Sequence, residues 1–242
     1  MTSENSDRGI VSISKETLAT LPAATYSGEI RVIDRVDLVD DAIRNLRKAE
    51  IIGFDTETRP SFKRGQSYKV ALIQLATPEC CYLFRTNIIG LPAALTHLLE
   101  DSSLLKVGLS IHDDFHSLEK FRRIEPKSFI DLQTYVKKFR IADNSLSRVY
   151  GILFGERISK SQRLTNWEAS PLTESQLNYA ALDAYSCIRI FQYLEQGRFN
   201  PDKSPYLIFP DENDKNQEEK STTEDIEASE KCPSQAEQQN NT

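Results

Sequence analysis

Two hydrophobic periods take turns along this chain. Alternating or continuous short apolar runs predict strands at Glu29 to Ile33, Ile51 to Phe54, Val70 to Ala76, Cys80 to Phe84, Leu104 to Leu109 and Ser128 to Ile130. Between them, apolar residues recur at helical spacing. Leu38, Ala42, Ile43 and Leu46 share one face of a helix expected over Val36 to Ala49, and further helices are expected over Leu91 to Leu99 and His112 to Arg123. Thr77-Pro78-Glu79 separates two strand-like runs as a hairpin turn would. From Leu132 onward helices take over, at Leu132 to Phe139, Ser145 to Phe154 and Thr173 to Leu194. The last carries the clearest start signal, because Thr173 can cap the helix and Gln176 stands three residues on, as a capping box requires. Strands interleaved with helices, followed by a helical end, predict an α/β layer fold around a mixed sheet. No internal repeat is visible.

The two ends differ from this middle. Residues 1–27 mix polar and charged residues with scattered apolar ones and read as a flexible arm, with a short helix near Lys15 to Leu21; the core is expected over 28–200. Residues 201–242 read as an acidic, largely disordered tail, too poor in large apolar residues to offset the entropy of ordering. Composition of the whole chain, 39% apolar and 27% charged residues, has the balance of a globular protein. The net charge of −6 is of the wrong sign for a protein that grips a polyanion. However, Asp211 to Thr242 holds 10 acidic and 3 basic residues, so the body is nearly neutral and whole-chain charge decides little about partners. No uncharged apolar run approaches the about 18 residues of a membrane span, so no membrane partner is expected and a cytoplasmic location is. Cys80, Cys81, Cys187 and Cys232 form no Cys-x-x-Cys; the adjacent pair falls in a strand with its side chains on opposite faces, which suggests neither a disulfide framework nor a zinc ribbon.

Chemistry concentrates in carboxylates. Asp55 and Glu57 follow the Ile51 to Phe54 run, and residues two apart on an extended chain project to one face. Side by side they repel each other unless a cation is present, and hard divalent ions take such oxygen ligands. Spacing alone is weak support, since Asp225-Ile226-Glu227 in the tail repeats it. Tyr179 and Asp183 lie four apart on the last helix and so share a face. Asp114 comes near the start of the helix after the Leu104 to Leu109 strand, where an acid also suits the helix dipole.

The combination carries more than its parts. Gly53-Phe54-Asp55-Thr56-Glu57, then Val107 to Leu118 with His112-Asp113-Asp114-Phe115, then Leu164-Thr165-Asn166-Trp167, Pro171 to Leu177 and Tyr179-Ala180-Ala181-Leu182-Asp183 stand in one order. This order resembles the three motifs of the DEDD superfamily of 3′–5′ exonucleases, in its tyrosine subclass, as in ribonuclease D and the Werner-syndrome exonuclease domain. It spans residues of about 30 to 197. Asp114 rather than Asp113 is aligned, because an apolar residue, Leu118, follows it by four positions. The resemblance implies a ribonuclease H-like mixed sheet flanked by α-helices. It implies catalytic roles for Asp55, Glu57, Asp114, Tyr179 and Asp183, with the four acids holding two divalent cations, Mg²⁺ or Mn²⁺. Asp55 would bridge the ions, Glu57 and Asp183 would complete one site, Asp114 would support the second, and Tyr179 would orient the attacking water. Two ions about 3.5–4 Å apart suit in-line phosphodiester hydrolysis and need no nucleophilic side chain. The expected substrate is the 3′ end of DNA or RNA, and the expected product a nucleoside 5′-monophosphate.

Substrate contacts are expected from Arg59, Lys63, Arg64 and Tyr68, in a segment that interleaves cations with aromatic rings, and from Phe115 as a stacking side chain beside Asp114. Arg157, Lys160 and Arg163 lie in a basic connection leading to the third motif, while Trp167 is expected to pack. Ribonuclease D carries helical domains downstream and the Werner protein a helicase, so a stand-alone exonuclease is expected, with a second copy or a protein partner as a source of further grip. The alternative is a catalytically silent nucleic-acid-binding or adaptor protein of the same fold. His112 and His116 sit at zinc-hydrolase spacing, but the intervening residues lack the Glu and a zinc site would leave the other motifs unexplained.

Overall fold

The computed structural model describes residues 9–63 and 66–209. Val11–Leu207 form one compact unit, and residues 9, 10, 208 and 209 are the described residues outside it. Elements follow in the order β1 (Ile10–Val11), α1 (Lys15–Thr20), β2 (Glu29–Ile33), a 3₁₀ turn (Val36–Leu38) running into α2 (Val39–Leu46), β3 (Ile51–Thr58), β4 (Val70–Ala76) and β5 (Cys80–Phe84). Then come α3 (Thr86–Ile89), α4 (Ala93–Leu99), β6 (Leu105–Gly108), α5 (Ile111–Leu118), β7 (Phe129–Asp131), α6 (Leu132–Tyr135), α7 (Leu146–Phe154), α8 (Glu174–Glu195) and β8 (Leu207–Ile208).

Six strands pair in the order β2-β5-β4-β3-β6-β7. The tight turn at Thr77-Pro78-Glu79 makes β4 and β5 antiparallel, β3 is antiparallel to β4, and β2, β6 and β7 join by parallel pairing. This is the expected mixed sheet with helices on both faces. On one face, Leu72 and Ala76 of β4 and Cys81 and Leu83 of β5 pack with α7 and α8. On the other, Ile52 and Phe54 of β3 and Ile73 and Leu75 of β4 pack with α2, α4 and α5. Cys80 and Cys81 fall in different cores, as strand alternation dictates.

Three expectations need correction. Asp55 and Glu57 do not follow a strand that ends at Phe54; they lie inside β3, which pairs with β4 as far as Thr58 opposite Val70. The ladder continues because β4 supplies a partner for each residue, an effect that the charged sequence conceals. The expected flexible arm is also folded from Val11 onward. Val11, Ile13, Ala24 and Tyr26 are buried, the Ile13 amide donates to Asp143 Oδ2 (2.9 Å), and the Ala24 amide donates to the Arg157 carbonyl (2.9 Å). At the other boundary the Tyr206 carbonyl accepts from the Ser12 amide (3.0 Å), so residues up to Leu207 belong to the same unit. Residues 1–8 and 210–242, which include most of the expected acidic tail, lie outside the described residues.

Helix α8 begins as its sequence signals. Thr173 Oγ1 accepts from the Gln176 amide (3.2 Å), and Gln176 Oε1 accepts from the Thr173 amide (3.0 Å). The Gln176 side-chain nitrogen also donates to Thr165 Oγ1 and to the Asn166 carbonyl, which ties the preceding loop to the helix start. Where α8 crosses β3 the backbones nearly touch, and a Cβ on Gly53 would lie 1.9 Å from the Ala184 carbonyl oxygen. Only glycine permits that approach.

Candidate active site

Alternation along β3 turns Gly53, Asp55 and Glu57 toward α8 and Phe54 and Thr56 toward α5. Since α8 lies against Gly53, its Asp183 is brought to the same place as the two strand carboxylates. Asp55, Glu57 and Asp183 each offer a carboxylate oxygen, all within 4.8 Å of one another. Asp114 arrives from the opposite face of the sheet, on α5, where it accepts a hydrogen bond from the Thr56 hydroxyl. The four acids therefore converge from one strand and two helices, with Asp114 standing slightly apart from the tight trio. Asp113 beside it is turned outward and bonded to the Ser110 hydroxyl, which supports the alignment of Asp114.

The start of α5 is fixed by Asp131, a residue that the motifs did not indicate. Its carboxylate accepts from the backbone amides of Ser110 (3.0 Å), Ile111 (3.2 Å) and Gln133 (2.8 Å). Ser110 there holds a left-handed conformation with φ at 63°, and the fork of accepted bonds favours that bend.

Electrostatics mark the cup as anion-crowded. Burial, then the neighbouring Asp183, pushes the Asp55 carboxyl well above the ordinary range. Burial together with Asp55, Asp183 and Asp114 pushes Glu57 up to about 10, and burial with Asp55 pushes Asp114 up to about 8. Asp183 rises by burial to about 7, held back by its hydrogen bond with Tyr179 and by Lys160. Burial and the adjacent Asp183 raise the Tyr179 phenol, which keeps it protonated and a donor. Such a set of carboxylates is costly while empty, and its donors are all oxygen, the ligand set that hard divalent cations require. The residues present thus fit a divalent metal centre.

The cup opens into a cleft of about 500 Å³. Lys160 and Arg163 line it, whereas Arg157 bonds instead to the Leu21 carbonyl. The expected substrate contacts fare differently. Arg59 is engaged by Glu168 (3.0 Å) and lies over the Tyr68 ring, so these two satisfy each other outside the cleft lining. Lys63 is exposed and does not line the cleft, and Arg64 lies outside the described residues. Phe115 does not stand free for a base. Its ring stacks on Phe54 at 5.5 Å and meets Phe129 edge-on at 4.9 Å, because α5 turns its apolar face onto the second core. Trp167 is fully buried beside Tyr179, a packing residue as expected. The imidazoles of His112 and His116 point to solvent.

Fold and cup together are those of a 3′–5′ exonuclease domain. The family model described as 3′–5′ exonuclease matches residues 30–197, and the chain belongs to that family. It is 36% identical over 184 residues to the mouse bifunctional 3′–5′ exonuclease/ATP-dependent helicase WRN, covering 72% of this chain and 13% of that protein. It is 31% identical over 190 residues to a 3′–5′ exonuclease of Arabidopsis thaliana, covering 72% of this chain and 66% of that one. Among solved structures, Escherichia coli RNase D, an exoribonuclease involved in structured RNA processing, superposes with a TM-score of 0.61 at 26% identity over 69% of this chain and 44% of that one. The chain therefore spans a small part of the mouse protein and just under two thirds of the plant one.

Proposed function

We propose that this chain is a metal-dependent 3′–5′ exonuclease of the tyrosine subclass, which hydrolyses DNA or RNA from the 3′ end and releases nucleoside 5′-monophosphates. The observation that carries this reading is the meeting of Asp55, Glu57 and Asp183 within 4.8 Å, with Asp114 alongside. In it, Asp55, Glu57 and Asp183 would hold one divalent cation, and Asp55 with Asp114 would support a second. Bound there, Mg²⁺ or Mn²⁺ supplies neutralisation of the scissile phosphate, a more acidic water and stabilisation of the leaving 3′ oxygen. The protein's own part is placement. Tyr179, held protonated by burial and by Asp183, orients a water by hydrogen bonding and does not ionise. Lys160 and Arg163 on the cleft wall meet the phosphates of the incoming strand. Burial of the acids places them in a medium of low dielectric, where carboxylates would hold divalent cations strongly.

The test is digestion of 5′-labelled single-stranded DNA, single-stranded RNA and recessed duplex ends, in Mg²⁺ and then in Mn²⁺. The expected result is a ladder that shortens one nucleotide at a time, with nucleoside 5′-monophosphates released and no reaction in chelator. Undiminished cleavage in chelator, or internal fragments alone, would overturn the reading.

A further inference from the structure

Strand β4 reads Val-Ala-Leu-Ile-Gln-Leu-Ala, and every residue in it is buried. Gln74 is its one polar side chain. It is fully buried, and neither its amide nitrogen nor its amide oxygen meets a hydrogen-bond partner. An unsatisfied carboxamide at such a place costs stability that a leucine or methionine would not, so its presence calls for a partner.

The register says where that partner lies. Gln74 is directly opposite Asp55 on the antiparallel β3–β4 pair. Opposed side chains on such a pair share a face, with Cβ atoms about 4.5–5.5 Å apart. That face is the one against which α8 packs, because Leu72 and Ala76, two residues to either side, join Ala180, Ala184 and Ile188 in the first core. The carboxamide therefore lies under the floor of the cup, beside the acid assigned to both cations.

We infer that Gln74 is the positioning residue of Asp55: in the cation-loaded cup its side-chain N–H donates to the Asp55 carboxylate and fixes that carboxylate's orientation. This rests on the metal-dependent reading above. The chemistry is that of a donor behind a metal ligand. A carboxylate shared by two cations keeps lone pairs for one further donor, and a donor that is neutral adds no charge to compete with the cations. A lysine or arginine there would neutralise Asp55 and displace a cation; a hydrophobic residue would leave the carboxylate free to rotate. A neutral amide long enough to reach the carboxylate anchors it without competing with the cations.

The experiment compares the full chain with Gln74→Met, which keeps size and removes the donor, and Gln74→Asn, which keeps the amide on a shorter stem. Mn²⁺ affinity is measured by calorimetry without nucleic acid, and thermal stability is measured in chelator. The expected result is a Mn²⁺ dissociation constant raised about 10-fold or more in Gln74→Met, a smaller rise in Gln74→Asn, and a chelated melting temperature for Gln74→Met equal to or above that of the parent. A Gln74→Met protein that binds Mn²⁺ within twofold of the parent, or that loses its fold in chelator, overturns the assignment. Failure of the parent itself to bind Mn²⁺ is a separate outcome: it sinks the metal-dependent reading and with it any role of Gln74 behind Asp55.

Discussion

Asp55→Asn is expected to lower exonuclease turnover by about 10³-fold or more while making the metal-free protein more stable. Asp55 is assigned to both cations, and cation charge stabilises the transition state by several kcal/mol, each 1.4 kcal/mol being about tenfold in rate. The gain in stability has a separate cause. Burial pushes the carboxyls of Glu57, Asp114 and Asp183 up to about 10, about 8 and about 7 in the fold, against about 4 in an unfolded chain. Between those values the folded state holds protons that the unfolded state has released, so metal-free stability falls as pH rises from about 4 toward 10. Replacing Asp55 by an amide removes a buried carboxyl whose ionisation the fold opposes, and with it the repulsion it exerts on Glu57 and Asp114. Thermal melts in chelator are expected to place Asp55→Asn above the parent at pH 8, with the gap closing at pH 5. Equal melting temperatures at pH 8, or retained turnover, would contradict the account.

Gly53→Ala is expected to damage both the fold and the reaction, although residue 53 carries no chemistry. The added methyl would sit 1.9 Å from the Ala184 carbonyl oxygen, and backbone cannot swing aside as a side chain can. Overpacking of this kind costs about 1–3 kcal/mol, which in a domain of this size lowers the melting temperature by roughly 2–4 °C per kcal/mol. Relief requires α8 to move off β3, and α8 carries Tyr179 and Asp183. Displacing catalytic groups by about 1 Å can cost on the order of 10²-fold. A fall of that size in kcat, alongside a lowered melting temperature, is the expected result; wild-type values for both would show that α8 does not depend on this contact.

Much of this was legible before any coordinates. The β4–β5 hairpin, the capped start of α8 and the pairing of Tyr179 with Asp183 follow from local patterns, because turns, caps and helical faces are set by residues a few positions apart. The acids were legible as ordered motifs, and Asp114 was separable from Asp113 by the apolar residue four places on. What stayed hidden depends on distant partners. Nothing near Val11 or Ile13 shows that Asp143, 130 residues from Ile13, will satisfy the backbone there. Asp55 and Glu57 look like a strand's end until β4 is seen to pair beyond them. The basic, aromatic segment after β3 matched the composition of a nucleic-acid grip, yet Arg59 is spent on Glu168 and Tyr68, and composition cannot say which cations are already partnered. Phe115 lies beside Asp114 in sequence, but a helix turns neighbours about 100° apart, so its ring faces the core. Gln74 gave no signal at all, since an amide in an apolar run acquires meaning only when the opposite strand is known.

Crystals of the protein soaked in Mn²⁺ and measured at the manganese absorption edge test the central claim most directly. Two anomalous peaks are expected about 3.5–4 Å apart, both against Asp55, one also touching Glu57 and Asp183 and the other on the side of Asp114. Manganese bound elsewhere with the cup empty, or no ordered manganese at saturating concentration, would mean that these four carboxylates meet for some purpose other than holding the ions on which the proposed hydrolysis depends.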